Sequence, residues 1–396
     1  MDRTEPQAWT TENNGALSAN VEVEATRKRP RLRGVDVARA VAVLGMVAVH
    51  FGPNPIPETF GGDVYGIFRG RASVLFVFLA GVGVALLARR GAGWRLRGKL
   101  LTRGALLLPL GMWLQGLDHN VLVILQYYAV YFLFAVLVVS APGWLLFIGI
   151  GFSLTLGPML YLVEVEATPR LFVDGYAEFG EPAGAVVYDL LLSGAYPLAT
   201  WAAPLLFGIL LGRLDLTSGR IRIGMVLGGL AVAVGSALVS RTFAPKNASL
   251  LFDSPRYPQD AGFGRLFSSE PHSQMPLWLL GATASAVAVL GLCLLLADAL
   301  PRAIQPLAAT GQMALTVYVG HIILLSTAPE IVERETVSAA VVSVGTFMIL
   351  VAVVCFLWRL LLPRGPLEAA LVAPGLLIER LFVSDKEDSE STLRPR

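Results

Sequence analysis

Apolar residues run along this chain in long blocks separated by short polar segments. A helix that spans a bilayer needs about 20 mostly apolar residues, and the blocks predict about ten such spans. They lie at about 35–51, 73–88, 100–117, 121–140, 144–163, 196–211, 221–239, 276–296, 307–328 and 337–360. The third and fourth form a tight pair joined by the polar turn Asp118-His119-Asn120, and no internal repeat relates any of them. The expected fold is all-α: a polytopic integral membrane helical bundle over residues 31–372. It is flanked by a disordered polar tail at 1–30 and a second tail at 373–396. No cleavable signal peptide is expected, because the first apolar block begins near Val35 and no small-residue cleavage site follows it.

Composition agrees with lipid as the main solvent. The 396 residues are 55% hydrophobic and 15% charged, with a mean hydropathy of +0.64. Soluble domains carry about 25% charged residues. Cys293 and Cys355 both fall inside apolar blocks, which excludes a disulfide framework and a cysteine metal site. No metal and no nucleic-acid partner is expected, and the sequence leaves the oligomeric state open.

The net charge of +2 says little, whereas the placement of charge says more. Arg27, Lys28, Arg29, Arg31 and Arg33 precede the first span, and Arg89, Arg90, Arg95, Arg97, Lys99 and Arg103 cluster between the second and third. Arg213, Arg220 and Arg222 lie between the sixth and seventh, Arg302 follows the eighth, and Arg359 and Arg364 follow the tenth. With ten spans all of these groups fall on one side. The positive-inside rule makes that side cytoplasmic, with both termini there, in a cell inner membrane. The long loops at 165–195 and 241–275 are then outside.

Ionisable residues at membrane depth are candidates for function, because an idle charge there is costly. Asp36 and Arg39 are three residues apart on the first span and share a face. His50, His119, His272 and His321 all fall toward the outer face, where a histidine can exchange a proton with an incoming hydroxyl or amine. Gln126, Tyr127, Tyr128 and Tyr131 fit either an interfacial aromatic belt or a cavity lining. Thr310, Ala314, Tyr318 and His321 form a stripe that fits the same cavity. The loop from Arg89 to Arg103 reads as the positive-inside signal or as a site for the phosphates of a coenzyme. No glycine-rich phosphate loop is present.

The segment Arg31-Leu-Arg-Gly-Val-Asp36-Val-Ala-Arg39 through His50 resembles the heparan-α-glucosaminide N-acetyltransferase-like and YeiB-like membrane proteins. So do the segments Gly70-Arg71-Ala-Ser-Val-Leu-Phe-Val-Phe-Leu-Ala-Gly81 and Glu270-Pro-His-Ser273. Gly311-Gln-Met-Ala-Leu-Thr316 through His321, and Arg364-Gly-Pro-Leu-Glu368, continue the match in the same order. The resemblance implies an acyltransferase that takes an acetyl or acyl group from cytoplasmic acyl-CoA. The acceptor would be a hydroxyl or amine of a small molecule, glycan or lipid at the outer face. On that reading His50 and His321 handle protons, and Arg71 stabilises charge on the acyl oxygen. His272, Gln126, Tyr127 and Tyr128 line the substrate passage. Asp36, Arg39, Arg89, Arg90 and Arg95 hold the acetyl-CoA donor. The characterised acetyltransferases carry Asn at the place of His50 and a catalytic His in the loop that follows, whereas here the loop 52–70 holds no histidine. A transporter or exporter of a small polar or lipid-like solute is the competing expectation, since the same histidines and the Asp36–Arg39 pair serve a proton relay equally well.

Overall fold

The computed structural model describes residues 31–53, 56–57, 59–89, 91–167, 177–244 and 262–374. Arg90, the tail at 1–30, most of the tail at 373–396 and the middle of both long loops lie outside the described residues. Among the described residues every regular element is helical. The long elements are α1 (Arg33–Phe51), α3 (Arg71–Ala88), α4 (Trp94–Gln115), α5 (Leu125–Val138) and α6 (Gly143–Ala167), with the short α2 (Phe60–Gly66) before α3. After them come α7 (Ala183–Tyr188), which runs on into a wide turn at Asp189–Ser193, α8 (Leu198–Gly212) and α9 (Gly219–Phe243). The chain closes with α10 (Pro276–Ala299), α11 (Gln305–Gln312), α12 (Ala314–Thr327), α13 (Pro329–Val332) and α14 (Val337–Leu361).

Each of the ten apolar blocks coincides with one of these helices or with a bent pair. Six stretches are long and apolar enough to cross a membrane, and eight are when each bent pair counts as one span. α4 and α5 fall outside this set for physical reasons. α4 carries Arg95, Arg97, Lys99 and Arg103 in its first half, and α5 is 14 residues long, about 21 Å. The chain is a multi-pass membrane protein.

α1 occupies the centre. It packs against α3, α10, α11, α12 and α14, and 14 of its 19 residues are buried, so no face of it is left for lipid. α6, α9 and α14 form the periphery. Phe147, Ile148, Leu227, Val234, Ile349 and Leu350 project from them, exposed and apolar. Lipid suits such a surface, because these side chains need no polar solvent and the helical backbone satisfies itself.

Small residues set the close crossings. A methyl group at Gly81 of α3 would stand 2.1 Å from the Leu205 carbonyl of α8, and one at Gly208 of α8 would stand 2.1 Å from the Phe78 carbonyl. Gly311 is tighter still, facing the Asp36 carbonyl of α1. Just beyond it the chain turns by 76° between α11 and α12. That break frees backbone N–H groups in a place with little water, and Glu368 takes them. Its Oε1 accepts from the Leu315 N–H at 2.8 Å and the Thr316 N–H at 3.1 Å, and its Oε2 accepts from the Thr316 hydroxyl at 2.6 Å.

Gly81→Ala should lower thermal stability by about 1–3 kcal/mol, the range for overpacking a tight contact. Gly151→Ala on α6 meets nothing within 4 Å and should leave stability unchanged or slightly raised. Thermal unfolding of both variants in detergent checks this, and equal melting temperatures would contradict the close α3–α8 crossing.

Candidate functional site

Contacts between helix ends gather the basic residues at one end of the bundle. Arg89, at the end of α3, donates to the Gly212 carbonyl at 2.9 Å and to the Leu214 carbonyl, both at the end of α8. Arg213 donates to the Ala141 and Val139 carbonyls beyond α5, at 2.8 and 3.2 Å. Arg222, at the start of α9, pairs with Asp298 at the end of α10. At this same end Asp36 is fully buried and bonded to Arg39 at 3.1 Å. The Gln312 side-chain amide donates to its other oxygen at 3.2 Å, and Arg359 Nε donates to Gln312 Oε1 at 2.8 Å.

The histidines gather at the opposite end. His50 Nδ1 lies 3.0 Å from His321 Nε2. The two rings are nearly parallel, with centroids 5.2 Å apart and planes inclined by 10°. His321 is fully buried and His50 is half-buried. Phe51 and Tyr318 pack on the His321 ring. His119 and His272 lie within electrostatic reach of His50, so all four histidines share one region.

The hydrogen bonds fix where the protons sit. His321 Nδ1 lies 3.3 Å from the Val317 carbonyl, which only accepts, so the neutral His321 ring carries its proton on Nδ1. Its Nε2 is then bare and accepts from the His50 Nδ1–H. His50 Nε2 is left with a free lone pair. The pair is therefore directional: His321 holds the ring of His50, and His50 Nε2 is the nitrogen free to take a proton.

His119 has a different job. Its Nδ1 accepts from the Val121 N–H at 3.0 Å, so its Nε2–H donates to the Leu114 carbonyl at 2.8 Å. Both nitrogens are committed to closing the α4–α5 turn.

From His321 an aromatic ladder descends into the bundle. Tyr318 is 5.1 Å from the His321 ring, Phe76 stacks on Tyr318 at 6.4 Å, and Tyr128 meets Phe76 at 5.2 Å. The Tyr318 oxygen accepts from the Ile124 N–H at 3.2 Å. Tyr127 and Tyr131 are held by the α7–α8 connection: the Ala195 N–H donates to Tyr127 Oη at 3.1 Å, and Tyr131 Oη donates to the Tyr196 carbonyl at 2.6 Å. Gln126 Oε1 and Tyr128 Oη are buried with no hydrogen-bond partner among the described residues.

Around His272 the backbone is strained. His272 and Gln274 have φ of 61° and 62°, a region that costs an ordinary L-residue about 1–2 kcal/mol. Side-chain bonds hold the loop there. Gln274 Oε1 accepts from Trp201 Nε1 at 2.6 Å and the Thr200 hydroxyl at 3.0 Å, and its Nε2 donates to the Ala195 carbonyl at 2.8 Å. The His272 ring packs among Tyr196, Trp201 and Trp278. Gly70, at φ 68°, leaves room for Trp278 and His272, which a side chain there would strike. Arg71 sits over the Trp278 ring at 5.3 Å.

The structure thus brings His50 and His321 into contact and joins Asp36 to Arg39. His272 and Arg71 share the Trp278 neighbourhood. Arg89 is engaged by helix-end carbonyls, and Arg95 lies against the exposed Trp94 ring at 5.7 Å. Sequence reasoning missed Gln274, Gln312, Arg359 and Glu368 as organisers. Gln312 and Glu368 stood inside quoted motifs, whereas nothing local distinguishes Gln274 or Arg359.

The family description "heparan-alpha-glucosaminide N-acetyltransferase, catalytic" matches residues 31–242, more than half of the chain. The chain belongs to this family. A second description, a protein family of unknown function (DUF418), matches residues 248–371. No curated protein matches the chain. The histidine pair joins the two matched regions, since His50 lies in the acetyltransferase part and His321 in the other. The acetyltransferase match alone therefore holds one histidine of the pair.

Burial of Nδ1 and the nearby Arg69 charge hold the His272 pKa down at about 4, from an ordinary 6.5. A lowered histidine pKa means that the unfolded chain binds the proton more readily between those two values. Folding stability should therefore fall as pH drops from 6.5 toward 4, and His272→Gln should flatten that slope. Melting curves at stepped pH check this, and an unchanged slope in the variant would contradict it.

Proposed function

We propose that this chain is a membrane-bound acyltransferase that takes an acetyl or acyl group from cytoplasmic acyl-CoA and delivers it to a hydroxyl or amine at the extracytoplasmic face. The observation that carries the reading is the directional His50–His321 pair, with one free imidazole nitrogen at a half-buried position. Membership of an acetyltransferase family supports the reaction class and acetyl-CoA as donor.

In the proposed reaction His50 Nε2 takes the proton of the acceptor O–H or N–H as the acceptor atom attacks the thioester carbonyl. The C–S bond breaks, CoA leaves as the thiolate, and the proton on His50 passes to that sulfur. His321 keeps the His50 ring in the correct tautomer, and its contact with Val317 fixes its own. Arg71 stabilises negative charge on the acyl oxygen. His272, with Tyr196, Trp201 and Trp278, lines the acceptor entrance, and Gln126, Tyr127 and Tyr128 line the donor passage. Asp36 and Arg39 shape its inner end.

The orientation belongs to the same proposal. Ten helices, with both termini and the arginine-rich end in the cytoplasm of an inner-membrane protein, give the flow from donor to acceptor. The separation of arginine pins at one end of the bundle from histidines at the other supports it.

Purified protein in nanodiscs should bind acetyl-CoA and slowly hydrolyse it. His50→Ala should lower that turnover by about 10²–10⁴-fold, the usual worth of a general base. His321→Ala should lower it less, because it removes an orienting group. Absence of acetyl-CoA binding, together with solute flux in proteoliposomes, would replace this reading with a transporter.

A further inference from the structure

The segment between α1 and α3 carries an apolar face that the bundle does not cover. Phe60 and Val64 are four residues apart on α2 and share a side, and Ile67 and Phe68 follow in the next turn. All four are exposed, Phe60 to 84%. The opposite side of α2 is turned inward, with Gly62 and Tyr65 buried. Thr59 caps the helix, its hydroxyl accepting from the Gly62 N–H at 3.1 Å. Asp63 is exposed.

Contacts with α1 set the place of this segment. A methyl group at Gly45 of α1 would stand 3.1 Å from the Ala72 side chain and 3.4 Å from the Phe68 ring. α3 thus begins beside Gly45, about 9 Å short of the end of α1 at Phe51. α2 covers the flank of the last turns of α1 that α3 leaves open. Its Tyr65 Oη donates to the Ala48 carbonyl there, and a side chain at Gly52 would strike the Tyr65 ring. A methyl group at Gly61 would touch Val337, at the start of α14, at 3.9 Å. The exposed side of α2 therefore continues the apolar surface that α14 presents through Val341 and Val342.

Length decides the depth. Residues 60–88 make a 29-residue apolar stretch, about 43 Å long as one helix. The hydrocarbon core is about 30 Å thick. α3 alone, at 18 residues, covers about 27 Å of it. That leaves α2 at the boundary between acyl chains and headgroups, where an apolar stripe beside polar groups is stable.

We propose that α2 is an interfacial helix seated in the leaflet at the histidine end, with Phe60, Val64, Ile67 and Phe68 among the acyl chains just below the headgroups. Through Tyr65 this seat holds the last turn of α1. The Arg334 N–H holds the same turn from the α14 side, donating to the Phe51 carbonyl at 3.1 Å. His50 lies between these two carbonyls along the chain, so the seat sets it at headgroup level. The seat belongs to the surface of the chain and stands whether the site transfers groups or moves a solute.

Single cysteines labelled with bimane test this in nanodiscs. Cys293 and Cys355 are buried, so the label goes to a cysteine placed at an exposed position. Labels at Phe60→Cys and Val64→Cys should lose most of their fluorescence to lipids brominated near the headgroup end of the acyl chain. They should lose less to lipids brominated at mid-chain and to aqueous iodide. A label at Ile349→Cys, half-way along α14, should respond most to the mid-chain bromines, and one at Glu333→Cys most to iodide. Iodide quenching at positions 60 and 64 equal to that at 333 would overturn the seat. So would stronger quenching there by the mid-chain bromines. Shielding from all three quenchers overturns it too, because a second copy of the chain then covers the stripe.

Discussion

A hydrocarbon interior gives a polar side chain no partner, so each ionisable group that α1 carries into the bundle has to find one in the protein. α1 carries three: Asp36, Arg39 and His50. The partners of the first and last come from one stretch of chain, α11 and α12. A straight helix would be a poor way to serve both ends. The break at Met313 lets α11 close on α1 at Gly311, which sets Gln312 against Asp36, while α12 leaves at a steep angle and carries His321 to His50. The break in turn needs Glu368, which reaches back from beyond α14 to accept the N–H groups of Leu315 and Thr316. One requirement for pairing thus organises α1, α11, α12 and the segment after α14 together.

The sequence made the helices legible because lipid exposure leaves a coarse signal. Blocks of about 20 apolar residues stand out whatever their neighbours do, and each of the ten blocks falls on helical structure. The bend between α11 and α12 was not legible. Ala314 and Leu315 read as ordinary helix interior, and the carboxylate that stabilises the bend lies over 50 residues away. Of the candidate site, the gathering of histidines at one end followed from loop charge alone. Their pairing did not, because contact between His50 and His321 depends on that bend. His119 shows the limit in the other direction: its position matched its neighbours in function, yet both its nitrogens serve a turn.

The arginines divide by the same logic. Arg89 and Arg213 each donate to two carbonyls at neighbouring helix ends, groups that the helix itself leaves unsatisfied. A guanidinium with its fork filled by carbonyls is poorly placed to grip a phosphate as well. Arg222 is neutralised by Asp298. Positive-inside counting treats all of these residues alike, and only their partners show which of them fasten helix ends.

The histidine pair also bears on the choice between group transfer and transport. A base that relays protons across a membrane has to face one side and then the other, which asks for a ring free to turn or a helix free to move. His321 is fixed on several sides: the Val317 carbonyl at Nδ1, His50 at Nε2, and Phe51 and Tyr318 against the ring. His50 is held by His321 at one nitrogen, at the end of the most buried helix of the bundle. Rigid placement with one lone pair presented in a fixed direction suits a reaction whose partners come to the base. The pair is assembled from two distant parts of the chain, and the order is one-way: Val317 sets the tautomer of His321, and His321 sets that of His50.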